Sequence, residues 1–133
     1  MSQTVEPRLD IEVAECRRGP RPGNWDVTWR ITNRAGQPLA LHSAWVPHGR
    51  FRGQGRLNLA RSLGPDHHLD LELPVHAQEA PGTVVENAFL IVRFSLAGVP
   101  WRVFVRMRVE FDAQGTPHPI PELVTLQSAR AAE

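Results

Sequence analysis

The chain has 133 residues, 41% of them hydrophobic and 22% charged, which suits one globular domain that closes its own core without staples. Fifteen basic and fourteen acidic residues leave a formal net charge of +1, so bulk charge gives no case for nucleic acid or a membrane surface as partner. Cys16 is the only cysteine, which excludes an internal disulfide. The N-terminal MSQTVEPRLD lacks the apolar core of a signal peptide, so a cytoplasmic protein is expected.

Twelve prolines and ten glycines punctuate the chain, and the segments between them alternate apolar and polar with period two. Leu9, Ile11 and Val13 alternate with Asp10 and Glu12. Trp25, Val27, Trp29 and Ile31 alternate with Asp26, Thr28, Arg30 and Thr32. Both segments read as strands with one face on a core and one in water. After the turn AGQP, Leu39, Leu41 and Trp45 fall on one face of a third strand, while Ala40, His42 and Ala44 fall on the other. A weakly patterned run with Leu57 and Leu59 gives a fourth. Leu69, Leu71, Leu73 and Val75, alternating with His68, Asp70 and Glu72, give a fifth.

The clearest pattern is NAFLIVRFSLAGVPWRVFVRMRVEFD, a hairpin with its turn at Ala97 to Pro100. Leu90, Val92, Phe94 and Leu96 then face the same way as Trp101, Val103, Val105 and Met107, whether the loop is centred on Ala97-Gly98 or Gly98-Val99. Beyond Asp112, AQGTPHPIPEL is too rich in proline for a central strand, although Leu123 to Leu126 could add an edge. The expectation is a single domain, 1–133, with its core in about residues 9–112 and a proline-rich segment over 113–133.

Seven strands with regular turns suggest an all-β, two-sheet sandwich. LGPDHHLDLELPV followed by APGTVVENAFLIVRFSLAGVPW resembles the second half of bacterial immunoglobulin-like and fibronectin-type accessory domains. WDVTWRITNRAGQPL resembles their strand and Asn-containing turn. The resemblance implies an immunoglobulin-like antiparallel β-sandwich of about seven strands, with Trp45 at the place of a buried third-strand tryptophan. Neither the inter-sheet cysteine pair nor a corner tyrosine of that superfold exists here, and a superfold does not specify a function.

The parity of the hairpin leaves Phe89, Ile91 and Arg93 outward on one strand and Arg102, Phe104, Arg106 and Arg108 outward on the other. Guanidinium planes stack on aromatic rings while still donating to carboxylates, and contiguous exposed apolar surface marks interfaces. These seven residues are the candidate partner-binding face, for another protein or for a second copy of the chain. The bland alternative is that arginine stems merely cover a solvated sheet; all fifteen basic residues are arginine, a bias that genome composition alone can produce.

A second cluster needs the fold as an intermediate. In immunoglobulin-like topology the loops CRRGPRPGN and VPHGRFRGQGR emerge at one end, which would gather Arg17, Arg18, Arg21, Arg50, Phe51, Arg52 and Arg56 into an anion-binding or single-strand nucleic-acid site. Glu79 and Glu86 at the same end would cancel part of that charge, and the net charge disfavours nucleic acid. His42, His48, His67, His68, His76 and His118 fit no zinc spacing. Cys16 beside Arg17 and Arg18 is the only candidate nucleophile, with no identifiable base. No catalytic motif, metal site or cofactor is implied, so the expected function is protein contact rather than catalysis.

Overall fold

The computed structural model describes residues 6–47 and 49–129. Nine strands form: β1 (Leu9–Arg18), β2 (Asn24–Asn33), β3 (Leu39–Trp45), β4 (Arg52–Gly53), β5 (Leu57–Leu63), β6 (His68–His76), β7 (Val84–Leu96), β8 (Val99–Phe111) and β9 (Pro117–Ser128). They make two antiparallel sheets, a four-stranded one in the order β1-β2-β6-β4 and a five-stranded one in the order β5-β3-β7-β8-β9. The all-β, two-sheet class implied by the alternation is the class observed. The additions to the expected seven strands are the two-residue β4 and the long β9.

Each sheet turns its apolar parity inward. In β2, Trp25, Val27, Trp29 and Ile31 are buried while Asp26, Thr28, Arg30 and Thr32 between them are only half-buried. The same alternation runs through β7 and β8, where Leu90, Val92, Phe94, Val103, Val105 and Met107 are fully enclosed. All of these belong to one continuous core, and burying each large side chain contributes about 1.5–3 kcal/mol. The turn between β7 and β8 is centred on Ala97-Gly98, since Leu96 pairs with Val99, and both central residues have positive φ (51° and 78°).

The proline-rich segment beyond Asp112 adds a strand over Pro117–Ser128, longer than the edge expected at Leu123 to Leu126. It forms the edge strand β9, in which Pro117 and Pro119 are buried. Proline fits here because Phe111, the partner of Pro117, turns its own amide toward the other neighbour and donates to the Thr83 carbonyl at 2.9 Å. The period of two then makes Pro117 and Pro119 positions where an edge strand needs no amide hydrogen.

One parity differs from the sequence reading. A bulge between Leu41 and Ser43 leaves His42 without a ladder partner, so Ala44 turns to the core and pairs with Val92 while Trp45 pairs with outward-facing Ile91. Trp45, expected in the core at an immunoglobulin-like buried position, therefore lies on the outer face of the five-stranded sheet. A bulge inserts one residue and inverts every alternation beyond it.

Candidate functional site

The outer face of the five-stranded sheet is built from strands whose inner residues are locked in the core, so its side chains have a rigid footing. Pairing sets them in rows. Trp45 on β3, Ile91 on β7, Phe104 on β8 and Thr125 on β9 lie side by side. The next rows hold Ser43, Arg93, Arg102 and Gln127 on one side, and Phe89, Arg106 and Leu123 on the other; Arg108 lies opposite Ile120 beyond them. Phe89, Ile91 and Phe104 are half-buried against their neighbours, and Leu123 is 49% exposed. The seven hairpin residues singled out from the sequence thus share one surface. Trp45, Ile120 and Leu123 extend it, and Arg56 adds a guanidinium stacked over the Trp45 ring at 4.2 Å.

The electrostatics of this face are unbalanced. Arg93 and Arg102 are direct cross-strand partners, an arrangement of like charges that costs stability unless something neutralises it. Among the described residues, neither they nor Arg106 has a carboxylate within ion-pair distance. The Nε of Arg102 is shut off from solvent and has no acceptor. Arg108 is the exception, lying 3.0 Å from Glu110 and 3.7 Å from Glu122.

On the outer face of the four-stranded sheet the arginines, Arg17 and Arg30, are matched, as is Arg34 beside it. Arg30 donates to Asp70 on the neighbouring strand at 2.9 and 3.3 Å, Arg17 to Glu72 at 2.7 Å, and Arg34 to Asp10 and Asp66 at 2.9 and 3.1 Å. These contacts hold the Asp70 carboxyl below its ordinary range, the Arg30 hydrogen bond being the main cause. The outer faces of the two sheets therefore differ in how their arginines are paired.

The loop-end cluster does not assemble as a basic site. Phe51, expected as an exposed stacking platform, is 2% exposed and belongs to the core. Arg17 is turned onto the outer face of the four-stranded sheet, Arg18 lies 5.2 Å from the centre of the Trp25 ring, and Arg56 is held at Trp45 on the opposite face. Arg50 is hydrogen-bonded to Glu79, which keeps that carboxyl below its usual range, and Arg52 donates to the Gly49 carbonyl at 3.1 Å. Arg21 is exposed in the β1–β2 turn. Each arginine loop touches the β6–β7 connection, Gly23 accepting from the Ala77 amide at 2.9 Å and Arg50 reaching Glu79, but the arginines are dispersed over different faces.

No three His, Cys, Asp or Glu side chains converge on a point among the described residues. His42 contacts Ser95 at 2.5 Å, His76 contacts Asn24 at 3.2 Å and His118 contacts Asp112 at 2.8 Å; His67 follows the turn into β6 and His68 opens that strand, and His48 lies outside the described residues. Burial, aided by the nearby Asp26 charge, pushes the Cys16 thiol up to about 11, so it is protonated at neutral pH despite its two arginine neighbours. An open cleft of about 530 Å³ lies between the Pro7 to Asp10 segment and Val124 and Leu126; of the charged residues that line it, Arg8, Asp10 and Arg34, the last two bind each other.

No family model matches the chain, and no curated relative was found. Any functional reading therefore stands on these surfaces alone. No helix among the described residues is long and apolar enough to cross a membrane.

Proposed function

We propose that the chain is a non-catalytic protein-interaction domain that docks through the outer face of its five-stranded sheet. The observation that carries this reading is the row Trp45, Ile91 and Phe104 set against Arg93, Arg102 and Arg106, which lack carboxylate partners among the described residues. Aromatic residues and arginine are the side chains that dominate the centres of protein interfaces. Their half-buried packing fixes their rotamers beforehand, which lowers the entropy cost of docking. A partner that places carboxylates between Arg93 and Arg102 would remove their mutual repulsion, so part of the binding energy is already stored in the free domain.

The test is capture of partners from an extract of the native cell by the wild-type domain and by a Phe104→Asp, Arg106→Glu double variant. Both sites are on the outer face, so the variant should melt within a few degrees of the wild type. It should lose specific partners, with binding weakened at least tenfold, or about 1.4 kcal/mol. Retention of the same proteins by both would remove this face from consideration.

A further inference from the structure

Resting on the reading of the five-stranded sheet's outer face as a docking surface, we infer that its partner is a second copy of this chain, presenting the outer face of the four-stranded sheet. The two outer faces have opposite electrical character. On the four-stranded sheet the outward positions carry Asp10, Glu12, Glu15, Asp26, Asp70 and Glu72. Arg17 and Arg30 lie among them, and each is flanked by acids: Arg30 sits between Glu12 and Asp70, its cross-strand neighbours on either side, and Arg17 lies 3.6 Å from Glu15 and 2.7 Å from Glu72. Glu12 and Asp26 form no ion pair among the described residues. This face therefore has carboxylates in excess, where the five-stranded face has guanidinium groups in excess.

Charge complementarity selects the mode of association. Two copies meeting through their five-stranded faces would set Arg93, Arg102 and Arg106 against the same residues, and two four-stranded faces would oppose acid to acid. Either symmetric dimer suffers like-charge repulsion. A front-to-back contact brings guanidinium to carboxylate, with Trp45 and Phe104 packing on the methyl and ring surfaces of Thr28, Thr32 and Pro74, which share the acidic face. The two faces are on opposite sides of a two-layer domain, so the contact is heterologous and each added copy leaves a free face of each kind. The product is an open stack whose length rises with concentration and falls with salt.

Light scattering on the purified full chain tests this across concentration at low and high salt. The expected molar mass climbs past two copies without a plateau at low salt and drops toward one copy at high salt. Two variants sharpen the result: Phe104→Asp with Arg106→Glu disables the five-stranded face, and Glu12→Gln with Asp26→Asn weakens the four-stranded face without breaking any ion pair in the fold. Each should associate about tenfold more weakly alone. Mixed where each is monomeric, they should form a species of two chains and no larger, because each supplies the face that the other lacks. A wild type that stops at a dimer, with a mixture that stays monomeric, would overturn the front-to-back mode. A wild type monomeric at every concentration would overturn the second copy as partner. If extract capture still depended on Phe104 and Arg106 in that case, the docking face would stand with a different acidic protein on it; loss of both results would remove the face as well.

Discussion

Asn33 shows how a single residue ties the two sheets together. Its side chain is completely buried at the end of β2, where its amide donates to the carbonyls of Gln37 at 2.7 Å and Leu63 at 3.0 Å while its oxygen accepts from the Ala35 amide at 2.8 Å. Leu63 ends β5 of the opposite sheet, so this one side chain joins the two layers. Asn33→Ala would strand two carbonyls and one amide away from water, at a cost of about 2–4 kcal/mol, read as a lower urea midpoint with an unchanged slope. The sequence marks Asn33 only as part of a turn. Its partners lie 4 and 30 residues away, so the alternation around it carries no sign of them. Phe51 is the converse: its arginine- and glycine-rich neighbours suggest an exposed loop, yet the short β4 that follows brings the loop back across the core and buries the ring.

At the scale of elements, period-two patterning carries most of the information, and bulges mark its limits. The last hairpin follows its alternation from Ala88 to Phe111, because no bulge interrupts β8 against β7 after Ala88. In β3 the extra residue at His42 moves Trp45 from the core to the outer face of the five-stranded sheet, and nothing in the local pattern announces it. The turn of the hairpin contains a local conflict. Ala97 occupies φ 51°, a left-handed conformation that a residue with a Cβ adopts at a cost of about 1–2 kcal/mol and that asparagine tolerates better. Ala97→Asn should therefore stabilise the domain by about 0.5–1 kcal/mol, measurable as a rise in melting temperature. A fall would show that Ala97 makes a contact that outweighs its backbone strain.

At the scale of the whole molecule, carboxylates paired with cations couple the fold to acid pH. Hydrogen bonds hold Asp70, Glu79 and Asp112 below their ordinary values, from Arg30, from Arg50, and from His118 and the Thr116 and Gln114 amides. A carboxyl whose folded pKa is depressed stabilises the fold above its unfolded pKa and loses that contribution as pH falls through the folded one. Thermal melts should show stability independent of these groups near neutral pH and declining once the carboxylate range is entered. High salt should soften the decline, since all three pairs are at the surface. An Arg30→Gln, Arg50→Gln double variant should show a shallower acid decline; an identical one would mean that other carboxylates set it. The sequence by itself determined the β class, the strand alternation, the parity of the last hairpin and the arginines on its outward side, because each depends on neighbours two residues apart. Only the tertiary structure decided that Trp45 faces outward, that Phe51 is core, and that the outer face of one sheet pairs Arg17 and Arg30 while, among the described residues, that of the other leaves Arg93, Arg102 and Arg106 without carboxylates. Those outcomes depend on which strands become neighbours, and pairs such as Arg30 with Asp70, 40 residues apart, meet only when two distant strands are laid side by side.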